Sequence, residues 1–255
     1  MKFSEVIHDF ESCKNNKIIN CEGSKFLAFL HVPKTAGTSL LKVLMREYPL
    51  YYHMKYDQID KMLLEFIEKQ NSKQYDFFTG HFAIRHIRQM QFSNLDFNTI
   101  TFIREPVSRL ISDYRYQKTE LHPPHKEFIE KFPTFESWAL KEPPNIQLKK
   151  LLGHIYDIED GYNQLVSKYA FIGVTELYDL SIKVLSGITG KDLTAKGNKL
   201  NVTKNLTINQ INPSPEVINK LKEIHHIDIE IYKKVYSNYA KISNDIIKNQ
   251  NRSFN

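Results

Sequence analysis

The chain has 255 residues, 41% apolar and 25% charged, which suits one large or two small globular domains and excludes disordered, collagen-like and coiled-coil chains. Its 35 Lys and Arg outnumber its 29 Asp and Glu, for a net charge of +6. The positive residues are scattered, with no basic tail and no block of like charge, so nucleic acid is not expected as a partner.

Residues 1–15 carry Glu and Asp where a signal peptide would be apolar. Two cysteines, Cys13 and Cys21, are too few for a disulfide framework and have no zinc-type spacing, so free thiols in a reducing compartment are expected. No apolar run reaches the ~18 residues that a membrane span needs. The expectation is a soluble, cytoplasmic chain with no membrane span. No repeat or long Gly/Ser/Pro linker divides it, so residues 1–255 read as a single domain.

Residues 26–32, FLAFLHV, read as a buried strand. TSLLKVLMREY (38–48) reads as a helix with Thr38 or Ser39 as N-cap and Pro49 as its stop. A second helix follows, with Ile59, Met62, Leu63, Phe66 and Ile67 on one face. YDFFTG (75–80) and NTITFIR (98–104) are strands, and PVSRLISDYRYQ (106–117) is a helix with Pro106 in its first turn. Residues 117–145 carry no clear pattern. NIQLKKLLG reads as helix, YAFIGV (169–174) as strand, and LYDLSIKVLSG as helix. Ser214 and Pro215 open a late helix, and Asp228 opens the last one. Strands alternating with helices predict an α/β fold, a three-layer sandwich around a central parallel sheet. Ligands on such sheets bind at the carboxyl ends of the strands, which directs attention to the loops after Val32, Gly80, Arg104 and Val174.

The first of these loops is His31-Val32-Pro33-Lys34-Thr35-Ala36-Gly37-Thr38-Ser39. Gly37 permits a tight turn, the N–H groups at the helix start point into it, and Lys34 adds a charge. Thr35, Thr38 and Ser39 offer hydroxyl donors. This suits an oxyanion. The nucleotide-triphosphate pattern G-x-x-x-x-G-K-[ST] is absent, because Lys34 precedes the glycine, and no second acidic Mg²⁺ ligand stands at a strand end. In the third loop, Arg104 ends a strand and Ser112 lies eight residues on, about two helical turns away. Both can reach one phosphate. Arg109, Asp113 and Arg115 read as a solvent-exposed, salt-bridged face.

Val32-Pro33-Lys34-Thr35-Ala36-Gly37-Thr38-Ser39 resembles the 5′-phosphosulfate loop of sulfotransferases that use 3′-phosphoadenosine 5′-phosphosulfate (PAPS). The likeness is to the carbohydrate branch that contains the heparan sulfate 2-O- and 6-O-sulfotransferases. The spacing of Arg104 and Ser112 resembles that family's 3′-phosphate motif, and the resemblance spans residues 26–240. Tyr169–Glu176, Asn145–Lys149 and Asn201–Asn205 resemble, more weakly, a later strand segment, an acceptor-side helix and a loop near the adenine. The resemblance implies a P-loop-like sulfotransferase fold and a PAPS-dependent O-sulfotransferase acting on a carbohydrate hydroxyl without a metal. It implies that Lys34, Thr35, Ala36, Gly37, Thr38 and Ser39 hold the 5′-phosphosulfate, and Arg104 and Ser112 the 3′-phosphate. Lys34 also serves catalysis, and no metal ligands are expected. The anchor and cysteine pairs of the Golgi enzymes have no counterpart in this sequence.

A general base must take the acceptor's proton, and histidine suits. His81, after Gly80 at a strand end, matches a Gly-His of the related enzymes, with Gly80 leaving room for substrate. His86 is expected to face solvent and His31 to be structural. His122 and His125 flank Pro123-Pro124 with no assigned role, and Glu105 and Glu176 are alternative bases. Two rivals remain open at this point. One is a metal-dependent, kinase-like nucleotide phosphotransferase. The other is a module that binds a nucleotide or sulfated glycan without turnover.

Overall fold

The computed structural model describes residues 1–10, 26–55, 58–70, 75–155, 157–194 and 211–252. Cys13, Cys21 and the loop Asn201–Asn205 lie outside the described residues. Five parallel strands form one sheet in the order β2-β3-β1-β4-β5: β1 (Phe26–Leu30), β2 (Tyr51–Met54), β3 (Phe77–Gly80), β4 (Phe97–Ile103) and β5 (Phe171–Val174). Every residue of β1, β3 and β5 is buried, as continuous apolar runs require when helices cover both faces. This is the α/β architecture, helices around a central parallel sheet, that the alternation of elements predicts.

Several helices match the sequence reading. Helix α2 (Gly37–Glu47) buries Leu40, Val43 and Leu44 against the sheet, at the spacing of one helical face. Its N-cap is Ala36, in place of the expected Thr38 or Ser39. Helix α3 is Ile59–Gln70 and α5 is Pro106–Gln117 with Pro106 at its start, while α4 (Ile84–Phe92) has no counterpart in the sequence reading. The segment without a pattern folds into short helices α6 (His125–Lys131) and α7 (Phe135–Ala139). These cover the far side of α5, where Val107, Leu110, Tyr114, Phe128, Phe135 and Trp138 form a satellite apolar cluster. Then come α8 (Ile146–Leu152), α9 (Ile158–Lys168), α10 (Tyr178–Thr189), α11 (Pro215–Ile224) and α12 (His226–Arg252). Ser214 caps α11 by accepting from the Val217 N–H.

An N-terminal helix, α1 (Phe3–His8), closes onto the opposite end of the sequence. Phe3 N–H donates to the Tyr169 carbonyl at 2.6 Å, and the Phe3 ring sits 6.2 Å from Phe171 and 6.3 Å from Tyr239. Burying such a ring contributes about 1.5–3 kcal/mol.

Two features of the sheet prepare the site. The chain leaves β1 toward β2 on one side and leaves β4 toward β5 on the other, so the crevice between β1 and β4 is a topological switch point. Strand β4 also projects past β1. Phe29 pairs with Ile100, Thr101 Oγ1 donates to the Leu30 carbonyl at 2.9 Å, and β4 continues to Ile103. Arg104 is thereby carried out over the loop that follows β1.

Candidate active site

The loop after β1 is built around two left-handed residues, Lys34 (φ 70°) and Ala36 (φ 62°). Neither is glycine, and each costs about 1–2 kcal/mol in that region. Such a backbone turns successive N–H groups toward a common point, the geometry of an anion-binding nest. It leads into α2, whose N-terminus has no side-chain cap, so its positive end is open to the loop.

Gly37 supplies no unusual backbone angle: among the described glycines, positive φ belongs to Gly153 and Gly190. Its role is different from the expected tight turn. A Cβ at Gly37 would lie 1.9 Å from His31 Nε2. The glycine exists to admit the His31 ring, which stacks on Phe29 (5.4 Å) and on His81 (4.4 Å).

The three hydroxyls of the loop differ. Thr35 is fully buried and its Oγ1 donates to the Val32 carbonyl at 2.8 Å, so its proton closes the loop on itself. Ser39 is buried and Thr38 is exposed at the helix start.

The loops after β1 and β4 touch. Arg104 Nη1 donates to the Lys34 carbonyl at 3.2 Å. Arg104 Nε is buried without a hydrogen-bond partner, and Glu176 Oε1 stands 3.8 Å away. That N–H lacks a hydrogen bond, while the Glu176 carboxylate in its ion pair answers the guanidinium charge. The Lys34 ammonium lies 4.1 Å above the Tyr116 ring. Burial lowers its pKa, Asp113 opposes the shift, and Arg104 adds to it. Ser112 is one helical turn before Tyr116, so the two share the face of α5 that meets Lys34. Thus the cradle, Lys34 and Arg104 come together at one end of the sheet, with Ser112 on the face of α5 turned toward Lys34. Sequence reasoning missed Tyr116, although its spacing from Ser112 was visible.

Arg109 departs from expectation. It is 3% exposed, holds Asp113 at 3.2 Å, and leaves Nη2 buried without a partner. The solvent-exposed face predicted for it is an interior one, covered where α7, α11 and α12 pack against α5.

His81 follows β3 on the same edge. Its Nδ1 donates to the His31 carbonyl at 3.3 Å, which places the lone pair on Nε2. Burial, then the nearby Lys150 ammonium, lowers its pKa to about 4, only partly opposed by that hydrogen bond. Lys150 Nζ donates to the His81 carbonyl at 3.1 Å, and burial brings its own pKa down to about 8. His81 opens onto a cavity of about 490 Å³ that is also lined by Asp60, Lys61, Arg85 and His86. Gly80 does not leave room for substrate. A Cβ there would meet Met54 Cβ and the Met54 carbonyl at 3.0 Å each, because Met54 is its partner in the sheet.

The other candidate bases are engaged elsewhere. His86 is 2% exposed, contrary to the solvent position expected: its Nδ1 accepts from Ala83 N–H at 2.8 Å and its Nε2 lies 3.2 Å from Asp60. Glu105 caps α5 by accepting from Val107 and Ser108 N–H. Glu176 accepts from Glu105 N–H and from the Tyr232 hydroxyl. His122 and His125 lie at the start of α6, with His125 Nδ1 donating to the His122 carbonyl. Among the described residues, no group of three or more His, Cys, Asp or Glu could hold a metal ion, and no helix is long and apolar enough to cross a membrane.

Residues 18–237 match the family model described as "Sulfotransferase family". No curated protein matches the chain.

Proposed function

Because this chain belongs to the sulfotransferase family, we propose that it transfers a sulfuryl group from PAPS to a hydroxyl of a carbohydrate. One observation supports this reading above the rest: the Arg104–Lys34 contact joins the two phosphate motifs into a single cationic crevice beside His81. PAPS carries two separated phosphate groups, so it needs two anion sites in one crevice, and it supplies an activated sulfuryl group.

The residues present fit that donor. The nest at Lys34 and Ala36, with the open start of α2 and the residues Thr35, Gly37, Thr38 and Ser39, suits the 5′-phosphosulfate. The Arg104 guanidinium, with Ser112, suits the 3′-phosphate. Each charge-assisted hydrogen bond of this kind contributes roughly 1.5–3 kcal/mol. Lys34 stabilises the negative charge that grows on the leaving oxygen, and its seat on Tyr116 keeps the ammonium aimed. His81 Nε2 takes the proton of the acceptor hydroxyl. The acceptor occupies the polar cavity at His81, where Asp60, Lys61 and Arg85 present the hydrogen-bonding groups that suit a sugar. Positioning and fixed charge carry the reaction.

Calorimetry with adenosine 3′,5′-bisphosphate and AMP tests the donor. The bisphosphate should bind at least about tenfold more tightly, one charge-assisted bond's worth, and Arg104→Ala should erase most of the difference. His81→Ala should leave that affinity nearly unchanged while labelled-sulfate transfer to glycans falls by roughly 10²–10⁴. Equal affinity for the two nucleotides defeats the donor assignment. Full activity in His81→Ala defeats the assignment of the base.

A further inference from the structure

One short helix touches both halves of the site. Gln147, on α8, grips the Arg104 backbone from both sides: its Oε1 accepts from Arg104 N–H at 3.1 Å and its Nε2 donates to the Arg104 carbonyl at 2.8 Å. Three residues on, along the same face, Lys150 Nζ donates to the His81 carbonyl at 3.1 Å. The start of α8 is held from a distant part of the chain. Both carboxylate oxygens of Asp228, on α12, accept from α8: the Gln147 and Leu148 N–H groups, each at 3.1 Å. In return Asn145 Oδ1 accepts from Asp228 N–H, and Asn145 N–H donates to His225 Nδ1. Asn145 itself is left-handed, with φ 54°. Asp228 is 3% exposed, so this anchor excludes water.

We infer that α8 is a brace that fixes Arg104 relative to His81, with Gln147 and Lys150 as positioning residues and Asp228 as the anchor of both. The two ends of the reaction hang from different strands, β4 and β3, with β1 between them. Hydrogen bonds within the sheet fix strand backbones but leave the residues just past the strand ends to find their own support. Gln147 and Lys150 provide it, and they move as one body because a single helical turn separates them. Asp228 serves α8 twice over. It satisfies N–H groups that no residue of α8 caps, and its charge complements the helix start. Lys150 also acts electrostatically. The titratable groups facing His81 are Lys150 on α8, His31 beside the cradle, His53 on β2 and Asp113 on α5, with Asp60, Lys61, Arg85 and His86 around the shared cavity. Of these, Lys150 contributes most to keeping the imidazole neutral.

The inference rests on the roles proposed for Arg104 and His81, yet it can be read without turnover. In the full chain, histidine NMR would follow the His81 titration, the Arg104 Nε–H resonance would report the guanidinium, and calorimetry would give affinity for adenosine 3′,5′-bisphosphate. Lys150→Met should raise the His81 pKa from about 4 toward the ordinary imidazole value, with the nucleotide affinity unchanged. Lys150→Arg should restore the wild-type titration. Gln147→Leu should shift the Arg104 resonance and weaken the nucleotide by about tenfold, the loss of two hydrogen bonds, while His81 titrates as before. Asp228→Ala should disturb both readouts together, and Asp228→Asn, which keeps one acceptor, should do so in milder form. A purely structural role predicts the opposite pattern: lowered melting temperatures with the His81 titration and Arg104 resonance at wild-type values, and that result overturns the brace. If the wild type fails to bind the bisphosphate while the NMR pattern holds, the donor assignment falls and the brace stands.

Discussion

Gly37→Ala tests whether this glycine serves the neighbouring ring. The new Cβ would stand 1.9 Å from His31 Nε2, 2.0 Å from Cδ2 and 2.6 Å from Cε1. Carbon contacts settle near 3.5 Å, so the ring must retreat by roughly 1.5 Å. It has little freedom to do so, because it is stacked on both Phe29 and His81. Overpacking of this severity costs typically 1–3 kcal/mol. In a domain of this length about 2 kcal/mol lowers the melting temperature by roughly 4–8 °C. The backbone raises no objection of its own, since Gly37 has no positive φ and alanine is the better helix former. Urea denaturation of Gly37→Ala, His31→Ala and the double variant closes the cycle. In the His31→Ala background the added methyl should cost almost nothing, giving a coupling of about 2 kcal/mol. If Gly37→Ala costs the same in both backgrounds, the ring is not the reason for the glycine.

Three further outcomes are expected. Ala36→Gly releases a left-handed alanine and should raise stability in urea by up to about 1 kcal/mol, after the glycine's larger unfolded-state entropy is set against the relief of strain. A general base works in its neutral form and His81 holds its proton only below about pH 4, so kcat/KM should stay level from neutral pH to about 5 and fall as pH drops through 4. A limb centred near histidine's ordinary value of about 6.5 would show that the acting base is less buried than His81. Charge in the cradle comes from Lys34 and Arg104, so sulfate transfer should survive EDTA; a strict requirement for Mg²⁺ would favour a phosphotransferase reading.

Elements with strong local signals were legible in the sequence. FLAFL, FFTG and FIGV are continuous apolar runs and become central or fully covered strands, and Pro106 marks the start of α5 to the residue. Strand β2, YYHM, escaped because it lies at the sheet edge with mixed burial, so it shows no apolar run. Helices α6 and α7 escaped because their apolar residues face a satellite cluster that they share with α5 and α11, remote in sequence. In the site, loop positions could be inferred from strand ends, but the reasons for individual residues could not. That Gly37 admits His31, that Gly80 admits Met54 and that Arg109 points inward depend on neighbours brought together by packing. Asp228 is the extreme case: it reads as the opening of its own helix, yet its carboxylate serves α8, some eighty residues earlier in the chain.

The docking of α1 has a bearing on synthesis. Phe3 emerges from the ribosome well before its hydrogen-bond acceptor at Tyr169 and its ring neighbours Phe171 and Tyr239. At roughly 5–20 residues per second, the first helix waits on the order of tens of seconds for a surface to cover. A six-residue helix cannot hold its shape alone in that interval. The apolar side chains Phe3 and Val6 are therefore exposed on every nascent chain until β5 and α12 arrive. Ribosome-stalled chains ending before residue 169 should present this segment to proteases, and chains extended past residue 239 should protect it.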